Sequence, residues 1–520
     1  MYRGGRLLIN IKKEVSVLPL SDYEIVIGLE VHVELKTESK LFCACATNFG
    51  AAPNSQVCPV CLGLPGALPV LNEQALDYTI ITGLALNCEI AEVSRFDRKQ
   101  YFYPDLPKAY QISQYDQPFC ENGWVEILLE DGTSKRIGII RAHLEEEAGK
   151  SVHSGSGILG SEYSLEDYNR SGIPLIEIVS ASAIRSPKEA KLYLEKLKTL
   201  LEYTRVSDCK MEEGSLRCDA NISLRPWEGK EYGVLTEIKN MNSFRSVQAA
   251  LEYEAERQAK LLDSGGKIVK QTRAWDENKG ITFFMRAKEG AGDYQFFPDP
   301  DLAPVVIDSD RVKKLRQTLP ELPDSRLKRY IEFWGLPQHD AGLISCSRPL
   351  AEFFEATVDL YDEAKTVSNW LLGELLRLVY QEQAELAELK FTPEQLAQML
   401  KMIDAGIING KIGKTVLETM FKTGMDPEAI VAERGLTQIS DSGQLKTIVT
   451  EVLNANAKTV GDYLEGKEQA VRFLVGQVMK GTKGKANPEI VNQLLKQELA
   501  KRRSSNQESS ADHREKKAKC

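Results

Sequence analysis

"EIVIGLEVHVEL", residues 24–35, alternates between two faces. Ile25, Ile27, Leu29, Val31, Val33 and Leu35 share one face of an extended chain, and Glu30, His32 and Glu34 lie on the other. Successive strand residues point to opposite sides, so the segment predicts a strand buried on one side only. On this strand alone, the polar face reads either as a solvated surface or as part of a site.

Neighbouring segments repeat the theme. "VEILLEDGTSKRIGIIRAHLEEEAGKS", 125–151, predicts a hairpin turned near Asp131–Gly132, its return strand ending in His143, Glu145, Glu146 and Glu147. Adjacent carboxylates repel unless they are solvated or share a cation. "SGIPLIEIVSAS", 171–182, carries one charge, Glu177, among apolar residues on both faces. A buried carboxylate is costly, which predicts a partner, a metal or a raised pKa; an edge position or a structural ion pair is the plainer alternative. In "MEEGSLRCDANISL", 211–224, Arg217, Asp219, Asn221 and Ser223 alternate against Cys218, Ala220, Ile222 and Leu224. Four acidic strands and a histidine predict one convergent site. Carboxylate oxygens suit magnesium better than zinc, and magnesium held this way serves phosphate chemistry, so a nucleotide is the expected substrate. The "AGKS" at 148–151 is not a phosphate loop, because Leu144 stands where that motif requires glycine. "HSGSGILGS", 153–161, reads as a loop rather than a nucleophile site.

Thiols form a second cluster. "LFCACATNFGAAPNSQVCPVCLGLPG", 41–66, holds Cys43, Cys45, Cys58 and Cys61 in two close pairs joined by a Gly-, Pro- and Asn-containing loop. The other six of the ten cysteines are scattered, as in a large protein kept reduced. Two such pairs predict a closed structural zinc site, with a redox pair or buried thiols as the alternatives.

At 520 residues the chain predicts two to four domains, and a net charge of −9 argues against a general basic coat for nucleic acid. No apolar run is long enough for a membrane span. The start lacks a secretory pattern, and its sparse Ser and Arg disfavour an organellar leader, so a cytoplasmic location is expected. The predicted class is α+β. Residues 1–20 read as an extension, 21–318 as a strand-rich cradle with the zinc knuckle, and 319–430 and 431–500 as helical and helical tail domains; 501–520 read as a disordered basic tail. Helix starts are predicted at "SPKE" (186–189), Ser243, "TPEQ" (392–395) and "DPEA" (426–429).

"EIVIGLEVHVELKT", "AGKSVH", "DYNRSGIPLIEIVS", "MEEGSLRCDANIS", "EIKNMNSFRSV" and "GQVMKGTKGKANPEIVNQLL" together resemble the B subunit of the tRNA-dependent aspartyl/glutamyl amidotransferase, over about residues 21–500. The resemblance implies a heterotrimer with an amidase A subunit and a small C subunit. It implies that this chain binds misacylated tRNA(Gln) or tRNA(Asn) and uses ATP to phosphorylate the attached Glu or Asp, and that ammonia then displaces phosphate. It implies magnesium at Glu30, His32, Glu177, Asp219 and one or two of Glu145 to Glu147, with Glu146 favoured and Glu212 a further candidate. Glu30, His32, Glu146, Glu177 and Asp219 are the implied catalytic set, and Lys150 and Arg170 the implied nucleotide contacts. It also implies ATP, Mg2+ and Zn2+ as cofactors, and a tail domain that grips tRNA through Lys480, Lys483 and Lys485. A zinc-knuckle RNA-binding adaptor and a magnesium-dependent phosphohydrolase are the competing readings. An adaptor has no reason to place Glu177 inside "IPLIEIV".

Overall fold

The fold is taken from a computed structural model that describes residues 22–154, 162–227, 229, 231–287, 294–438, 441–464, 467–482 and 484–518. The expected extension at 1–20, Lys483 and most of the 153–161 loop lie outside the described residues.

The alternating stretch forms the strand Tyr23–Glu34 in the middle of a nine-stranded sheet. From one edge the order is Ile281–Ala287, Gln271–Asp276, Thr236–Lys239, Leu216–Pro226, Tyr23–Glu34, Pro174–Ser180, Ser134–Glu146, Cys120–Leu128, Glu89–Ile90. The pairing is antiparallel except between Thr236–Lys239 and Gln271–Asp276, where the helix Phe244–Asp263 makes the crossover a parallel pair requires. The Cys120–Leu128 and Ser134–Glu146 strands form the expected hairpin; Gly132 takes φ +83° at its tip and the Asp131 carboxylate accepts from Thr133 N at 3.0 Å.

The apolar face of the central strand is covered by helices. Ile27, Leu29, Val31 and Val33 share one core with Leu194, Leu197 and Leu201 of helix Pro187–Thr204 and Val247 and Leu251 of Phe244–Asp263. Each such side chain contributes about 1.5–3 kcal/mol on burial. Both helices start at the expected serines: Ser186 Oγ accepts from Glu189 N at 3.1 Å and Ser243 Oγ from Ser246 N at 3.0 Å. The polar face is therefore the only side of this strand left for chemistry. A small sheet, Gln295–Pro298, Asp97–Gln100 and Tyr110–Ser113, belongs to the same unit. Lys150–His153 is a short strand paired with Ser164–Asp167, so the "AGKS" segment opens no helix.

The first compact unit ends at Leu322, and the second, from Pro323, is helical throughout its described residues. It holds one core from Tyr330 to Val431 and another from Leu445 to Leu499. Thr392 and Gln395 form the expected reciprocal cap. Asp426 does not cap its helix through its side chain; its carboxylate instead accepts from Gln395 Nε2 at 2.7 Å. The last helix runs from Pro488 to Ala518, into the segment read as a basic tail. Its Glu-, Lys-, Arg-, Gln- and Ala-rich sequence contains no Gly or Pro after its first residue, so helix propensity extends a helix already nucleated on the core.

Candidate functional site

Antiparallel register turns scattered acids into rows. His32 lies opposite Glu177, which lies opposite His143 on the next strand. Glu30 lies opposite Asp219, and Asn221 opposite Glu237. Two groups of close ligand atoms result: His32, Glu145 and Glu177, and Glu30, Asp219 and Glu237, the atoms of each lying within 4.8 Å of one another.

In the first group His32 Nε2 is 3.5 Å from Glu177 and 3.9 Å from Glu145, while His143 Nε2 is 3.4 Å from Glu177 and 3.7 Å from Glu145. Burial opposes charge on His143, but the carboxylates of Glu177 and Glu145 outweigh it and hold the imidazole at about 9. Burial likewise opposes, and Glu177 and Glu145 win, at His32, whose pKa is raised. Glu177 is held well below the usual carboxylate range, because the two histidines overcome its own desolvation. Ser113 Oγ, from the small sheet, donates to Glu145 at 2.9 Å. In the second group burial, reinforced by Glu177 and Asp219, raises Glu30. Lys239 pairs with Asp219 and lies 3.5 Å from Glu237, and Asn221 donates to Glu30 at 2.8 Å. Clustered carboxylate oxygens with one imidazole fit a hard divalent cation.

Several expected residues lie elsewhere. Glu146 is on the opposite face from Glu145, because neighbours on a strand point apart. It pairs with Lys108, accepts from Ile112 N at 2.9 Å, and lines a cavity of about 150 Å³ beside Cys43 and Cys61. Of the triplet, Glu145 is the member that lies with His32 and Glu177, and the favoured Glu146 lies outside both groups. Glu147 pairs with Arg217. Glu212 sits in the exposed turn before the Asp219 strand and belongs to neither group. Lys150 is exposed on its short strand, and Arg170 is spent on the carbonyls of Ala148 and Gly149 at 3.2 and 2.9 Å, so neither joins the acidic rows. Glu237, His143 and Lys239 were not selected from sequence. Glu237 stands on a four-residue strand, too short for its period to be read.

The four expected thiols converge, with their sulfurs within 4.8 Å of one another. Cys58 N donates to Cys61 Sγ at 3.2 Å, and the fully buried Lys40 places Nζ 3.6 Å from the same sulfur. Four thiols backed by a cation fit a tetrahedral thiolate-bound metal. In the helical unit Lys480 is exposed at the end of its helix. Lys485 is not on free backbone: Gly484, at φ +78°, turns the chain back, its carbonyl accepts from Asn409 at 3.0 Å, and Lys485 Nζ donates to Gly435 O at 2.5 Å.

Comparison with known proteins gives the context. Residues 25–313 match the GatB/GatE catalytic domain, and residues 352–499 match the GatB domain. The chain belongs to the family of B subunits of the aspartyl/glutamyl-tRNA(Asn/Gln) amidotransferase. The B subunit from Carboxydothermus hydrogenoformans is 58% identical over 482 residues, spanning 93% of this chain and all of that protein. Those of Caldanaerobacter subterraneus subsp. tengcongensis and Moorella thermoacetica are 57% and 55% identical, each covering 92% of this chain and the whole relative. All the acidic-row residues and the four cysteines fall inside the catalytic-domain match of this family. Among the described residues no helix is long and apolar enough to cross a membrane.

Proposed function

We propose that this chain is the activating component of a tRNA-dependent amidotransferase, assembled with an amidase subunit and a small third subunit. It phosphorylates the side-chain carboxylate of Glu or Asp carried by tRNA(Gln) or tRNA(Asn), so that ammonia from the amidase yields Gln-tRNA or Asn-tRNA. A carboxylate lacks a good leaving group, and phosphorylation supplies one. The observation that carries this reading is the double acidic group on the open face of the central strand, inside a catalytic domain of this family.

His32, Glu145 and Glu177, and Glu30, Asp219 and Glu237, would hold magnesium, which supplies charge neutralisation for the phosphates when bound. His143 supports this set from within: at 2% exposure it fixes both Glu145 and Glu177 from the adjacent strand. Lys239 holds Asp219 and Glu237 in place, and Ser113 orients Glu145. Cys43, Cys45, Cys58 and Cys61 would hold zinc in a closed structural role, with Lys40 offsetting the thiolate charge. The tail core from Leu445 to Leu499, with the exposed Lys480 beside it, would grip the tRNA body through backbone phosphates. A cytoplasmic site of action fits the tRNA substrate.

The test is amidation by the chain assembled with its partners, given glutamyl- or aspartyl-tRNA, ATP and glutamine. Glu177→Gln keeps the shape and removes the charge; amidated tRNA is expected to fall on the order of 10²-fold or more while tRNA binding persists. Near-normal amidation by Glu177→Gln would remove the acidic rows from the mechanism. ATP turnover that ignores misacylated tRNA would favour a phosphohydrolase instead.

A further inference from the structure

Lys99 stands apart from the other cations around the acidic rows. Lys239 is paired with Asp219, Arg217 with Glu147 and Lys108 with Glu146. Among the described residues Lys99 makes no hydrogen bond and no ion pair; its ammonium instead lies over two aromatic rings, 4.9 Å from the centre of Tyr294 and 5.9 Å from that of Tyr101. Those rings meet edge to face at 5.2 Å.

The small sheet determines where this ammonium points. Asp97 lies opposite Ser113 and Lys99 opposite Gln111, so all four share one face. Ser113 on that face donates to Glu145, which turns the face toward the first acidic group. Lys99 accordingly lies within the field of Glu145, Glu177 and Glu30, which together outweigh its own desolvation and raise its pKa. Among the described residues it closes on neither group. Rings attract an ammonium through their faces and use none of its N–H bonds, so Lys99 is held in position with its donors unspent among the described residues. A counter-ion that only balanced the acids would have closed on one, as Lys239 does.

The geometry points to Lys99 as a catalytic residue that donates to the phosphoryl oxygens of ATP during transfer to the substrate carboxylate. This rests on the phosphorylation reading above. In the step, a carboxylate oxygen forms a bond to the γ-phosphorus as the bond from that phosphorus to the β–γ bridging oxygen breaks. The electron pair leaves with ADP, and no proton moves, so Lys99 stays charged throughout. Its role is to stabilise negative charge spread over the transferring group, beside the carboxylates that would hold the cation.

The experiment uses the full complex with glutamyl-tRNA, ATP and ammonium, which bypasses the amidase. Lys99→Met is expected to lower kcat for amidation on the order of 10²-fold. It should weaken an imido-bridged ATP analogue by about tenfold or more while ADP binds within about threefold of normal, since only the analogue carries a γ-phosphoryl group. Manganese binding to the acidic rows, followed by electron paramagnetic resonance, should persist. Lys99→Arg should restore part of kcat, and Tyr294→Leu, which removes one wall of the cage and leaves the ammonium, should give an intermediate loss. The assignment is overturned if Lys99→Met and Tyr294→Leu both amidate within about threefold of wild type, or if analogue and ADP weaken together. It is also overturned if manganese binding is lost with kcat, which is the mark of a structural role. Wild-type complex showing no ATP dependence would instead overturn the phosphorylation reading itself.

Discussion

Glu34 marks the limit of the site on its own strand. It shares a face with Glu30 and His32, yet it belongs to neither group of close ligand atoms. Burial, with Glu147 nearby, raises its pKa from 4.5 to about 7 against the pull of Arg217 and Arg170. A carboxyl whose folded pKa lies above its unfolded value holds its proton more tightly when folded. Its presence therefore makes the folded state lose stability as pH rises from 4.5 to about 7. That shift corresponds at its limit to about 3 kcal/mol, and solvent contact at this half-buried position brings the expected value to about 1–2 kcal/mol. Glu34→Gln keeps the shape and removes the ionisation. Above pH 7 the variant should be more stable than wild type by that amount, and at pH 4.5 the two should converge. Urea unfolding at several pH values, scored by hydrogen exchange of peptides from the Tyr23–Glu34 and Leu216–Pro226 strands, keeps the sheet-bearing unit distinct from the helical one. Amidation should stay within about threefold of wild type, whereas Glu30→Gln should lose it on the order of 10²-fold. A Glu34→Gln variant with an unchanged pH slope, or one less stable at pH 8, would refute the burial argument.

The neighbouring acids Glu145 and Glu146 should separate cleanly. Glu145→Gln should weaken manganese binding at the acidic rows, while Glu146→Gln should leave it intact and cost about 3–5 kcal/mol of stability by stranding the Lys108 ammonium; titration and thermal unfolding distinguish them. Metal analysis of protein purified without chelator should find one zinc per chain, and Cys58→Ser should lower both zinc content and unfolding temperature more than amidation per folded molecule. The chain without its partners should form no amidated tRNA from glutamine, measured by chromatography of the released aminoacyl group. Removing residues from about 430 onward should weaken tRNA binding and flatten its salt dependence, while manganese still binds the sheet; identical affinities and slopes for both forms would exclude the tail as a grip.

What the sequence determined alone was local. A period of two fixes which side of a strand each residue occupies, so Glu30 and His32 were set against Ile27 and Leu29 from the alternation itself. Close cysteine pairs announce a thiol cluster in the same way, because the chain between them has only to double back. The same rule already separated Glu145 from Glu146; what it left open was which side faced the other acids. That depends on register, and register is set by packing between strands far apart in the chain. Only the folded sheet puts His32, Glu177 and His143 in one row, brings Glu237 beside Asp219, and turns the Lys99 face of the small sheet toward Glu145. Alternation states which faces exist, but the helices that cover one side of the central strand decide which face is left for the site. The second ring over Lys99 could not be read along the chain either, since Tyr294 approaches it only through pairing of the Gln295–Pro298 and Asp97–Gln100 strands.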